Sequence, residues 1–401
     1  MDGGGLVLPR SRPPVLSHDV GSRRTPRAAV LAAVPGLGAA VMVGAVTGCA
    51  PAPSDAVPAR ADLATAAVGA YEQAPAPVAA RSPAGPSPSG PSPSPPATVG
   101  DRFACPQPTV TVLDSAELTR ALAEAAPGDV IGLEKGVYTG RFRVSASGTP
   151  ERPIYLCGER DAVLDGLDQS AGYVLHVDGA SDWRFDGFSV RNGLKTVVLD
   201  GAHRVVLQDL KVYDSGDEAV HLRRGTTDSV VRDSVVRRAG RVHPEFGEGI
   251  YVGSARSNWC ELTGCAPDRS DRNLILDNAV TMTTAENLDI KEGTSGGLVA
   301  GNRFDGTGMV AADSWVDVKG NGWRLIGNHG KVTLLDGFQV HVEAPGWGAG
   351  NVFDRNTLDL GGSAGAGIVV GAAAGNRVGC ANEVVAVRGR YADVPCVHES
   401  P

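Results

Sequence analysis

Short β-branched runs punctuated by Gly, Asn and Asp, an Asn/Asp mark that returns at a nearly fixed interval, and the lack of a long helical pattern after Pro127 predict an all-β solenoid. The form expected is a single-stranded right-handed parallel β-helix over residues 105–401, with a short N-terminal capping helix. Asp209, Asp233, Asn278, Asn302, Asn328, Asn356 and Asn382 carry the mark. Their gaps are 24, 45, 24, 26, 28 and 26, the 45 being two rungs, or one rung with an insertion between Arg241 and Asp271. Asn and Asp tolerate the left-handed backbone of a tight turn, and Asn amides stacked at one turn satisfy backbone groups that burial would orphan. The column is therefore expected to be structural.

Before the first rung, Asp114, Ser115, Ala116 and Glu117 have capping-box spacing and precede Leu118, Leu122 and Ala125 at helical intervals. Pro127, Gly128 and Asp129 stop this helix, and its apolar stripe predicts a plug over the open N-terminal end of the solenoid.

Residues 1–49 have the make-up of an export signal. Arg10, Arg12, Arg23, Arg24 and Arg27 precede the apolar run 28–46, and Val46, Thr47, Gly48 and Cys49 close it. Those last four residues resemble a bacterial lipobox, in which Cys49 would take the lipid; an uncleaved membrane anchor and plain secretion are the alternatives. All three place the folded part outside the cytoplasm, with membrane contact only through that N-terminal lipid or anchor. Residues 50–104 hold twelve of the 27 prolines among Ala, Ser and Gly, which predicts a disordered tether.

With Cys49 set aside, Cys105, Cys157, Cys260, Cys265, Cys380 and Cys396 can pair completely in an oxidising compartment. A solenoid contacts its sequence neighbours, which favours Cys105 with Cys157, Cys260 with Cys265 and Cys380 with Cys396. The whole chain carries −8; the signal's five arginines against Asp2 and Asp19 give +3, so −11 remains for the rest. Nucleic acid is an unsuitable partner for that charge, whereas an acidic polysaccharide needs only a local basic or metal-bearing cleft. Nothing in the sequence indicates an oligomer, and a monomer is expected.

Aligning the first strand of each rung gives 220–223, 250–253, 288–291, 316–319 and 338–341. Alternation sends Val220, Leu222, Ile250, Val252, Leu288, Ile290, Val316, Val318, Phe338 and Val340 inward. It leaves two outward columns: His221, Tyr251, Asp289, Asp317 and Gln339, then Arg223, Gly253, Lys291, Lys319 and His341. A third column just before the strands is acidic: Glu218 with Asp217 beside it, Glu248, Glu286, Ser314 and Asp336. Carboxylates stacked about 4.8 Å apart repel unless a cation lies among them, and oxygen-only ligands suit Ca²⁺. The expected metal ligands are Glu218, Glu248, Glu286 and Asp217, the alternative being a salt-bridge ladder with Arg223, Lys291 and Lys319. Trp315 and Trp347 near these strands are candidate sugar-stacking residues, with Gln339 a further substrate contact. Gly247, Gly249, Gly253, Gly346 and Gly348 suggest an open groove.

The run from Ala125 to Ile131, Gly136-Val137-Tyr138, and Gly148-Thr149-Pro150 with Pro153-Ile154 resemble the N-terminal region of right-handed β-helix polysaccharide lyases, above all the chondroitinase B and alginate lyase group. Glu286-Asn287-Leu288-Asp289-Ile290-Lys291 is similar to that group's strand with a calcium-ligating Glu and a catalytic Lys. Val316-Asp317-Val318-Lys319-Gly320 lies where the group has an assisting Arg, and Thr284 stands where it has a further Glu. The resemblance implies β-elimination across a uronic acid, with Lys291 as base. Its pKa is expected to be lowered by Arg223, Lys319 and Ca²⁺; Lys319 or Arg223 would hold the substrate, and Tyr251, His221 or His341 would protonate the leaving oxygen. Two other readings remain: a glycoside hydrolase using Asp289 and Asp317 on adjacent rungs, and a non-catalytic carbohydrate-binding module.

Overall fold

The computed structural model describes residues 101–371, 375–385 and 388–398. The export signal, Cys49 and nearly all of the tether lie outside them. The rungs stack into a parallel β-solenoid whose strands form three parallel sheets of 11, 10 and 10 strands among the described residues. Each rung contributes one strand to each sheet, so every strand pairs with its counterpart one rung away.

The inward residues stack in register. On the front sheet, Leu175, Val197, Val220, Ile250, Leu288, Val316, Phe338 and Ile368 form one ladder. On the second sheet, Ile131, Leu156, Phe185, Leu207, Val231, Ile275, Val299, Leu325 and Phe353 form another. Each side chain is almost fully buried, and removing one from water contributes about 1.5–3 kcal/mol. All ten residues assigned inward from the sequence belong to this core.

The N-terminal helix, Ser115–Glu124, buries Leu118 and Leu122 against the first strands. Asp114 Oδ1 accepts from the Ala116 and Glu117 amides at 2.9 Å, and Glu117 returns a bond to the Leu113 amide at 2.8 Å. The box thus closes one residue earlier than the spacing implied.

The asparagine column is a hydrogen-bonded ladder. Asn278, Asn302, Asn328 and Asn356 each pass a side-chain bond to the next, Nδ2 to Oδ1, at 2.8–3.0 Å, and the ladder ends at Asn382. Asp209 and Asp233 do not belong to it. Ser234 stands at the ladder position, its amide donating to Asn278 Oδ1 at 3.0 Å. The two aspartates sit one residue earlier, in a left-handed column with Asp277, Gly301, Gly327 and Arg355. The gap of 45 is one rung, since Val235 pairs directly with Ala279. Its extra length includes the short helix Trp259–Leu262.

Disulfides join Cys105 to Cys157, Cys260 to Cys265 and Cys380 to Cys396, the pairings that neighbour contact favours. Among the described residues, no helix is long and apolar enough to cross a membrane.

Candidate active site

The outward columns of the front sheet stand as the alternation predicts: Val220, Ile250, Leu288, Val316 and Phe338 are in register, which aligns His221 with Tyr251, Asp289, Asp317 and Gln339. These side chains nevertheless pack against one another, and most are buried. Lys291 is 14% exposed and His341 45%, so they reach the surface more than their neighbours Lys319 and Arg223.

Asp289 lies at the centre. Its Oδ2 is 2.5 Å from the Lys291 ammonium and its Oδ1 2.9 Å from Lys319, which also meets Asp317 at 2.5 Å. Burial alone would raise the Asp289 pKa, but the two ammonium groups outweigh it and hold the carboxylate ionised. For Lys291, burial favours the neutral amine, yet Asp289, Glu248 and Glu286 overcome it and raise the pKa. Without a cation the neighbours therefore raise it, and Arg223 and Lys319 do not bring about the lowering expected of them. Arg223 is spent elsewhere, on Asp200 at 2.7 Å and the Tyr173 hydroxyl at 2.9 Å.

The acidic column stands in register, but the carboxylates that converge are a different set. Glu248, Glu286 and Asp289 bring carboxylate oxygens within 4.8 Å of one another. Glu218 instead pairs with Lys195 and lies 3.6 Å from His221 Nδ1, while Asp217 pairs with His243 at 2.7 Å. Alternation had placed Asp289 in another column, and the Asp289 side chain leans toward Glu248 and Glu286. Burial and the neighbouring carboxylates push Glu248 well above the usual range and Glu286 up to about 7. Glu248 Oε2 is buried without a hydrogen-bond partner. An all-oxygen donor set with an orphaned oxygen and mutual repulsion fits a hard divalent cation.

Tyr251 lies beside this cluster. Its ring is 5.0 Å from the Lys291 ammonium and meets His221 edge-on at 4.4 Å. Burial, then Asp289, Glu248 and Glu218, raise its pKa well above the ordinary phenol value. His221 is fully enclosed; burial, Lys195 and Arg223 hold it neutral, with Nε2 donating to the Gly253 carbonyl at 2.8 Å. It therefore positions Tyr251 and does not face the solvent side.

Toward the C-terminal rungs, a cleft of about 500 Å³ opens between Glu286, Asp313, Asp317, Gln339, His341 and Glu343. Gln339 is fixed there between Asp336 and His341, each at 2.8 Å. Trp347 is half-buried under the Arg269 guanidinium, 5.5 Å away. Trp315 is not a sugar platform: it is fully buried, with Nε1 donating to the Val332 carbonyl at 2.8 Å. Its ring fills the space a side chain at Gly330 would take, 2.3 Å from an added Cβ. Trp315 lies within the strand Ser314–Val318, and its ring turns into the core. Gly247 and Gly249 likewise serve packing, against Thr284 and Val280, rather than an open groove.

Sequence reasoning missed the earlier rungs of the same sheet. Lys195, Asp200, His176, Arg143 and Tyr173 continue its outward columns.

No protein-family model and no curated protein matches the chain. Among solved structures, an alginate lyase from Paenibacillus sp. str. FPU-7 is similar at 36% identity and a TM-score of 0.64, over 70% of this chain and 99% of that one. A pectate lyase gives 15% identity and a TM-score of 0.48, over 70% and 73% of the two chains. A rhamnogalacturonan lyase gives 14% and 0.48, over 63% and 74%.

Proposed function

Because the chain belongs to the family of parallel β-helix polysaccharide lyases that includes the Paenibacillus alginate lyase, we propose that it cleaves a uronate polysaccharide of the alginate class by β-elimination. The observation that carries this reading is the Lys291 and Tyr251 pair beside Glu248, Glu286 and Asp289, of which Glu286 also lines the cleft.

β-Elimination removes the C5 proton of a uronate and expels the oxygen at C4. It needs an offset for charge building on the carboxylate, a group that takes the proton and a group that returns one. Glu248, Glu286 and Asp289 would hold a cation, Ca²⁺ by its preference for oxygen, and when bound it would supply that offset. Lys291 is assigned to the C5 proton. Tyr251, whose surroundings keep it protonated, is assigned to the departing oxygen. Asp289 anchors the Lys291 side chain, and His221 fixes the Tyr251 ring. The carboxylates that raise the Lys291 pKa make its proton loss depend on their being offset, so catalysis and occupancy of the acidic cluster are coupled. A hydrolase using Asp289 and Asp317 is less suitable, because Lys319 sits between the two carboxylates. The proposed setting is extracellular, with residues 1–49 as export signal, 50–104 as tether and 105–401 as the active domain.

The test is unsaturated-uronate absorbance on alginate, pectate and glucuronan, with and without chelator. Cation-dependent absorbance on alginate, falling roughly 10²–10⁴-fold in Lys291→Ala and Tyr251→Phe, is expected. Absence of product on every uronate polymer would remove the lyase reading. Thermal unfolding of Glu248→Gln checks the cluster separately: Ca²⁺ raises the wild-type Tm and leaves the variant unmoved.

A further inference from the structure

A second concentration of charge lies on the third sheet, away from the front face. Its strands Ser189–Arg191, Lys211–Tyr213 and Val235–Arg237 occupy three consecutive rungs. Register puts Arg191, Tyr213 and Arg237 in one outward column, with Lys211 in the column beside it. Four cations crowd one ring: Lys211 at 4.9 Å, Arg238 at 5.6 Å, Arg237 at 5.8 Å and Arg191 at 5.9 Å from the centre of Tyr213.

Three nearby arginines have carboxylate partners: Arg191 with Asp165 at 2.7 Å, Arg238 with Asp214 at 2.6 Å, and Arg160 with Asp209. Among the described residues, Lys211 and Arg237 have no ion pair. Arg237 Nε is shut off from solvent with no hydrogen-bond acceptor, and so is Arg160 Nη1. Burial, then Arg237, Arg160, Arg238 and Arg191, lower the Lys211 pKa. Lys211 and Arg237 thus carry charge without a counter-charge of their own, and with buried N–H groups lacking acceptors this is costly unless an anion completes it.

We propose that this patch is a second, non-catalytic site for the acidic polysaccharide, in which Lys211 and Arg237 take uronate carboxylates of the polymer. The patch spans two rung spacings, about 10 Å along the solenoid, which suits a chain bearing one carboxylate per sugar better than a single small anion. The proposal rests on the reading of the protein as acting on polyuronate. The site would hold long polymer on the protein while the front face works on another stretch, so its effect grows with polymer length.

The test uses full-length protein carrying Lys291→Ala so that polymer survives, with and without Lys211→Gln/Arg237→Gln. Affinity electrophoresis through gels containing long polymannuronate or polyguluronate reads binding directly. About a tenfold loss of affinity is expected from removing two charge contacts. In the otherwise wild-type background, the same pair of substitutions should leave turnover of a uronate tetrasaccharide unchanged, which also shows that the fold is intact. Unchanged retardation in the double variant would overturn the site. So would retardation by a phosphate polymer but not by polyuronate. Loss of retardation without cleavage by the wild type supports this site while failing the lyase reading, and cleavage with unchanged retardation does the reverse.

Discussion

Asp200 shows how the front sheet carries charge indoors. It is 3% exposed and binds Arg223 through Nε at 2.7 Å and His176 at 2.9 Å. Burial alone would raise its pKa, but His176 and Arg223 bring it far below the ordinary aspartate value. A depressed carboxylate stabilises the fold above its unfolded pKa of about 4, and that contribution fades as pH falls toward the folded value. Asp200→Asn strands the Arg223 guanidinium, and breaking a buried pair this way costs about 3–5 kcal/mol. Urea unfolding at pH 7 should show that loss, and the gap between variant and wild type should narrow as the pH is lowered below about 4. A constant gap across that range would mean Asp200 contributes by shape rather than charge. Lys291 and Lys319 differ in the same way: both are held charged by Asp289, but Lys291 is the more accessible and is the one proposed to meet substrate, while Lys319 ties two carboxylates together.

The asparagine turn is the element that fixes the rung. Asn328 Oδ1 accepts from both the Asn302 amide and Asn302 Nδ2 at 3.0 Å, and Asn328 Nδ2 donates to the Val299 carbonyl at 2.9 Å and to Asn356. All of this is buried. Asn328→Ala leaves several polar groups unpaired without solvent, a cost of roughly 3 kcal/mol. Asn328→Asp keeps the acceptor but loses the donor to Val299, so it should also destabilise, whereas an exposed substitution such as Thr139→Ser should be nearly silent. Chemical denaturation midpoints check the order. The ladder was legible as a period in the sequence, yet its register was not: Asp209 and Asp233 share the tolerance of Asn for left-handed backbone, and only the hydrogen bonds separate the turn position from the stacking position beside it.

At the scale of the molecule, stacked rungs contact mainly their neighbours, so the ends are where covalent ties matter most. Cys105–Cys157 closes a separation of 52 residues and Cys260–Cys265 one of 5. The chain-entropy account gives about 4 kcal/mol for the first and about 2 kcal/mol for the second. Replacing the first pair by serine should therefore lower Tm more than replacing the second, and equal losses would contradict the loop-length argument. The solenoid, the helix at Ser115–Glu124, the inward ladders and the three outward columns follow from the sequence, because a side-chain period of two and a rung of fixed length are local properties. Composition likewise limits the disulfide partners once neighbour contact is assumed. Charge partnership is not local. Whether Glu218 faces a cation or Lys195, whether Lys291 gains or loses proton affinity, and whether Trp315 packs inside or meets a sugar depend on atoms brought together from different rungs and on how far water is excluded between them. The cations around Tyr213 have the same origin: three unremarkable strand sequences become one positive surface only when the rungs stack.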